Sequence, residues 1–168
     1  FTLALRIPEW SPSVTLEIND QAIPTDRYMN RGYLEIDRTW HTDDTIELNL
    51  EMPVQRVRSH PKVGANAGRV ALQRGPLVYC LEEVDNGHNL NDIVLPQETE
   101  LTTKFEDNLL GGVVVISGEG WRSDSPGGEE QLYRKIAPEN RKVSIKAIPY
   151  YAWANRIPGE MLVWVRET

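Results

Sequence analysis

The chain reads as all-β, an antiparallel, jelly-roll-like β-sandwich fold built as two packed sandwich subdomains. Three observations predict this. Apolar and polar residues alternate with period two along much of the chain, and no segment of about 12 residues or more carries a 3.6-residue apolar period. Eleven prolines and twelve glycines interrupt the sequence too often for long helices. The resulting short runs recur at roughly 8 to 12 residue spacing, the pattern of sandwiches.

Taken in order, Leu3, Leu5 and Ile7, then Val14, Leu16 and Ile18, then Leu34 and Ile36, then Ile46, Leu48, Leu50 and Met52 each place their apolar side chains on one face, predicting four half-buried strands. Pro8 and Pro12, Asn19-Asp20, Arg31-Gly32 and Asp43-Asp44 supply the turns between them. SHPKVGANAG, Ser59 to Gly68, has no apolar period and reads as a long loop. RVALQRGPLVYCLE, Arg69 to Glu82, gives two apolar runs with Gly75-Pro76 between them, a pair that bends or bulges a strand or seats it at a sheet edge. VDNGHNLND is a polar turn and marks the boundary between subdomains. Further strands are expected near 93–95, 98–105, 113–117, 129–133, 143–150 and 161–166. Gly111-Gly112 and the glycine-rich GEGWRSDSPGGEE, which starts at Gly118, read as long flexible connections. The expected organisation is a first sandwich over 1–88, a smaller one over 89–142, and closing strands over 143–168 that return to the first.

With 168 residues, 40% hydrophobic and 26% charged, the composition is that of an ordinary globular protein, and no apolar run approaches the ~18 residues of a membrane-spanning helix. A net charge of -7 with scattered basic residues disfavours nucleic acid. The single cysteine, Cys80, allows no internal disulfide, and His41, His60 and His88 have no metal-ligand spacing, so no metal or other cofactor is expected within the chain. FTLALRIP opens on Phe1 already in a strand pattern, which reads as a segment of a longer polypeptide whose leader, if any, lies upstream.

Among candidate chemical groups, Glu82, Glu83 and Asp85 offer the carboxylates that glycoside hydrolysis uses. Neighbours on a strand point to opposite faces, however, and the three read as a solvated strand end. Cys80 lies in an apolar run and reads as an inert buried thiol. No GxSxG, Walker or GxGxxG pattern is present. The densest motif is IPYYAWANRIPGEMLVWV, Ile148 to Val165. Its Tyr151, Trp153, Asn155 and Arg156 combine ring faces with hydrogen-bonding groups, as sugar-binding sites do, but the same residues also suit core or domain-interface packing, and both readings stand. An exposed coplanar strip of at least two of Trp10, Trp40, Trp121, Trp153 and Trp164 would favour sugar recognition.

RVALQRGPLVYCLE and IPYYAWANRIPGEMLVW together resemble the C-terminal region of glycoside hydrolase family 127, whose founding activity is β-L-arabinofuranosidase. LRIPEW at Leu5 to Trp10 and GYLEIDRTWHTDDTIELNLEMP at Gly32 to Pro53, with its Arg-x-Trp before an acidic turn, strengthen the resemblance. The resemblance implies a bacterial parent in which an N-terminal (α/α)6 barrel carries catalysis, and the compartment, cytoplasm or periplasm, is left open. It further implies zinc bound in that barrel with a cysteine nucleophile, while this chain supplies non-catalytic β-sandwiches and Cys80 is not the nucleophile. The implied partners are the barrel, the parent's oligosaccharide substrate and a homodimer contact, with no nucleic acid or membrane. The alternative is a self-sufficient carbohydrate-binding module using exposed aromatics.

Overall fold

The structure, a computed structural model, describes residues 1–124 and 139–168. These residues divide into two compact units, Phe1–Pro53 and Val54–Thr168.

The first unit is a small sandwich. One sheet holds β1 (Thr2–Arg6), β5 (Tyr33–Asp37) and β4 (Met29–Asn30); the other holds β3 (Gln21–Ile23), β2 (Val14–Ile18) and β6 (Ile46–Leu50). The alternation seen in the sequence is the packing pattern: Leu16 and Ile18 of β2 and Leu34 and Ile36 of β5 are fully buried, with Leu5, Ile7 and Leu48 packed against them. Each such side chain removed from water contributes roughly 1.5–3 kcal/mol. Two-residue hairpins set the registers. Asn19 and Asp20 adopt φ of 52° and 60° between paired Ile18 and Gln21, and Arg31 and Gly32 adopt 48° and 82° between Asn30 and Tyr33. Positive φ at both central residues matches the right-handed strand twist. The Arg-x-Trp motif closes this unit. Trp40 stacks on Phe1, its indole N–H donates to the Phe1 carbonyl, and Arg38 lies over the ring and 3.6 Å from Asp44. The His41 backbone N–H and the Asn19 amide donate to Asp44 and hold its carboxyl below the usual range. The short β3 and β4 have too few residues to show a period and were not expected.

The second unit comprises β7 (Val54–Val57), β8 (Arg69–Arg74), β9 (Leu77–Glu82), the one-turn helix α1 (Glu83–Asn86), β10 (Ile93–Leu95), β11 (Thr102–Glu106), β12 (Val113–Asp124), β13 (Glu139–Pro149), β14 (Met161–Leu162) and β15 (Val165–Glu167). Its pairings run β9–β13–β12–β10–β15–β8, and the β8–β9 hairpin joins the two ends of that path into a ring. Inside the ring lies one core: Val70, Leu72, Tyr79, Leu81, Ile93, Leu95, Ile116, Ile145, Ala147 and Val165. A second cluster, Cys80, Val113, Val115, Ile148 and Ala152, packs with Met161 and Val163. The all-β sandwich expected from the sequence is thus the fold found, with one departure from antiparallel pairing, the parallel β10–β15 pair.

The structure corrects several element expectations. The main division falls after Pro53 instead of at residue 88, because β8 and β9 hydrogen-bond into the same sheet as β10, β12 and β13. VDNGHNLND is therefore a connection within one unit, and 89–142 does not stand alone as a subdomain. In the final segment β13 and β14 pair with β9, and β15 pairs with β8. Gly75-Pro76 is neither bulge nor edge but the two-residue turn between Arg74 and Leu77, with Gly75 at φ 56° supplying its first central position. Gly118–Asp124, expected as a flexible connection, continues β12 in register with β13. The strand expected at 129–133 lies outside the described residues.

Candidate functional site

β13 delivers the chain to the loop that carries the sequence candidates. A 3-10 turn, Tyr150–Ala152, follows Pro149 and buries Ala152 against the second cluster. Alternation then breaks, so the aromatic side chains turn outward: Tyr151 is 65% exposed, Trp153 40%, and Ile157 79%. Tyr150 and Trp153 stack with centroids 5.9 Å apart. Of the five tryptophans Trp153 alone is exposed, the other four are half-buried, and no two of them stack on each other among the described residues.

This loop is ordered from below by carboxylates at the end of β9 and in α1. Glu82 is only 6% exposed. Its carboxylate accepts from Arg156 Nε at 3.0 Å, from Arg156 Nη2, and from the Ala154 backbone N–H at 3.2 Å. Arg156 Nη2 also donates to Asp85. Asp85 lies 3.8 Å from Lys146 Nζ, which reaches Glu106 at 2.8 Å, so acid and base alternate from half-buried Glu106 inward to Glu82. The hydrogen bond to Asp85 raises the Arg156 pKa further, burial opposes it, and Glu82 adds to the rise, so the guanidinium stays charged. The next residue binds the loop's far end: Glu83 Oε2 accepts from the Glu160 backbone N–H at 2.8 Å, and Glu160 in turn accepts from the Leu90 N–H. Asn155 caps the bend internally, donating to the carbonyls of Ala152 and Trp153.

The reading of Glu82 as a solvated strand end is therefore wrong. Counting by twos from buried Cys80 puts Glu82 on the same inward side, and that was the signal available in the sequence. Asp85, Lys146 and Glu106 left no local signature, since their partners are remote in sequence. The structure brings Tyr151, Trp153, Asn155 and Arg156 onto one loop but divides their roles. Tyr151 and Trp153 face out, whereas Asn155 bonds within the loop and Arg156 bonds inward to Glu82. Beside them Val84, Trp153, Ile157 and Pro158 wall a small cavity of about 180 Å3 above Glu82 and Arg156. Cys80 is buried, and burial together with the Glu82 charge pushes its pKa up to about 12, so it packs as a small apolar residue. Among the described residues no three His, Cys, Asp or Glu side chains converge as a metal set, and the groups present do not fit zinc. Among the described residues no helix is long and apolar enough to cross a membrane.

The described residues thus form two all-β units, one of which presents an aromatic loop clasped by a largely buried ion pair. The chain belongs to glycoside hydrolase family 127. Residues 54–166 match the model of the glycoside hydrolase family 127 C-terminal domain, and residues 1–52 match that of the β-L-arabinofuranosidase, GH127 middle domain. The boundary between these matches coincides with the division of the structure after Pro53. The non-reducing end β-L-arabinofuranosidase of Bifidobacterium longum subsp. longum is 37% identical over 171 residues, covering 96% of this chain and 25% of the relative. The crystal structure of a GH127 β-L-arabinofuranosidase from Geobacillus stearothermophilus T6 is 50% identical, with a TM-score of 0.93, over all of this chain and 26% of that one. A GH127 β-arabinofuranosidase structure, 33% identical with a TM-score of 0.87, is covered to 28%. The chain thus spans about a quarter of the length of these relatives.

Proposed function

We propose that this chain is the non-catalytic β region of a retaining glycoside hydrolase resembling β-L-arabinofuranosidase, where it supports and positions an N-terminal (α/α)6 catalytic barrel. The carrying observation is the clasped loop: Tyr150, Tyr151, Trp153 and Ile157 are held outward on a frame tied down by Glu82, Asp85 and Glu83. A rigid aromatic ledge of this kind suits burial against another protein surface. The β-L-arabinofuranosidase activity of the relatives, of which this chain spans about a quarter, supports the parent activity. Zinc and its cysteine nucleophile belong to the barrel in this reading.

The experiment pairs the full-length polypeptide with this chain on an aryl β-L-arabinofuranoside. The chain alone is expected to be inactive. Tyr151→Asp with Trp153→Asp is expected to leave the chain folded, yet to lower the melting temperature of the full-length protein and weaken association when barrel and β region are co-expressed as separate pieces. Hydrolysis by the chain alone at the full-length rate would overturn the proposal. So would unchanged melting and association in the double variant.

The alternative, a carbohydrate-binding module using this loop, is favoured by one observation, the exposed Tyr150–Trp153 stack. Saturable sugar binding lost in Trp153→Ala would select it.

A further inference from the structure

Strand β12 changes neighbours along one edge. From Val113 to Ser117 it pairs with β11, and at Trp121 and Arg122 with β10. Across the gap between them runs the connection from Pro96 to Leu101. Glycine makes the close approach feasible: a Cβ on Gly118 would lie 2.8 Å from Leu101 Cδ2 and 3.2 Å from the Glu100 carbonyl, and one on Gly120 would lie 2.9 Å from the Val94 carbonyl. Two hydrogen bonds pin the connection, from Thr99 Oγ1 to the Glu119 carbonyl at 2.9 Å and from Arg56 to the Thr99 carbonyl at 3.0 Å. An open cleft of about 450 Å3 remains, walled by Glu98, Thr99, Glu100, Glu119, Trp121 and Lys142. That volume lies within the ~300–1,000 Å3 of small-ligand sites.

The wall chemistry is specific. Trp121 is half-buried, and among the described residues its indole N–H has no hydrogen-bond partner. The carboxylates of Glu98 and Glu100 have none either. Lys142 Nζ stands 5.6 Å from the indole centroid and 3.6 Å from Glu119, with side chains 67% and 73% exposed. So exposed a pair holds the ammonium weakly, and a ligand can displace it from the ring. An aromatic face, a free indole donor, two free carboxylate acceptors and a movable ammonium together match a polyhydroxylated ring: its C–H face packs on the indole while neighbouring hydroxyls donate to the carboxylates. Three carboxylates against one ammonium oppose an anion.

We infer that the Trp121 cleft binds a neutral carbohydrate. The site stands on strand β12 and a pinned connection, so its geometry is set before the ligand arrives. It is separate from the 150–160 loop, and the inference does not depend on the accessory role proposed above.

The test titrates this chain by calorimetry with arabinobiose and galactobiose as neutral probes and digalacturonate as the anionic one. Saturable binding of at least one neutral disaccharide is expected, with digalacturonate weaker by about tenfold or more. Trp121→Ala should weaken the neutral ligand by about tenfold or more, and Glu98→Gln with Glu100→Gln should weaken it as well. The glutamate pair is exposed and outside the core, so it reads the site even where Trp121→Ala unfolds. Absence of saturable binding by both neutral disaccharides overturns the inference. So does binding that survives the glutamate double variant unchanged, or that is lost in Trp153→Ala and kept in Trp121→Ala.

Discussion

Arg156 and Glu82, separated by 74 residues, meet under the aromatic loop, with Nε 3.0 Å from Oε2 and both side chains largely shielded from water. A carboxylate buried to this degree is tolerable only while its charge partner is present. Glu82→Gln should therefore destabilise the second unit by about 3 kcal/mol, read as a lower urea midpoint at unchanged slope. Replacing both partners, Glu82→Leu with Arg156→Met, should recover much of that loss. A single variant within about 0.5 kcal/mol of the parent would show that the pair carries little of the loop's order.

Glu167 gives a pH dependence of known sign. Burial pushes its carboxyl up, but hydrogen bonds from Arg58 and Arg56 outweigh this, and its folded pKa lies below the ordinary 4.5. A depressed folded pKa means stabilisation that is complete above the unfolded value and is lost as pH falls through the folded one. Unfolding free energies followed from pH 7 to 3 should decline below about 4.5, and Glu167→Gln should flatten that decline. Superimposable slopes for the two proteins would exclude Glu167 as a source.

Cys80 is expected to resist thiol reagents. With its pKa at about 12 and its side chain buried, the folded chain should react with a disulfide reagent at pH 8 only as fast as it opens. Denaturant should restore the rate of a free thiol. Rapid reaction in native buffer would contradict the burial.

How much of this was legible in the sequence depends on how far each residue's partner lies. In β2 and β5 the partner set is local, and Leu16, Ile18, Leu34 and Ile36 could be placed in the core by counting in twos. At Glu82 the same counting was available from Cys80, but a carboxylate on an inward position reads as an error until Arg156 is seen beside it. Asp85 and Lys146 are further removed, since the charge of Asp85 in α1 is matched by Lys146 of β13 and by Arg156 of the loop, 61 and 71 residues along the chain. The Gly118–Asp124 stretch misled for a related reason. Its glycines serve the crossing of the 96–101 connection, and glycine chosen for space is indistinguishable in one sequence from glycine chosen for freedom.

The glycines separate the two roles by experiment. Gly120→Ala would drive a methyl group into the Val94 carbonyl and should destabilise by about 1–3 kcal/mol. Gly64 has no atom within 4 Å of the equivalent position and no positive φ, so Gly64→Ala should be neutral or stabilise by about 0.4–1 kcal/mol. Thermal unfolding of both variants reads the contrast, and equal midpoints would mean that the crossing relaxes freely.

The ring of pairings in the second unit has a consequence for the order of events on the ribosome. The first unit has all its strands once Pro53 has emerged, since its pairings, Thr2 with Asp37 and Val14 with Leu50 among them, all close within the first 53 residues. The second unit cannot close until Val165–Glu167 arrives, because among the described residues β15 alone joins β8 to β10. Throughout that interval both waiting edges offer unpaired backbone groups to any passing strand. The nascent second unit stays open to misassembly until Val165–Glu167 has slotted between β8 and β10, so three residues of strand decide when that hazard ends.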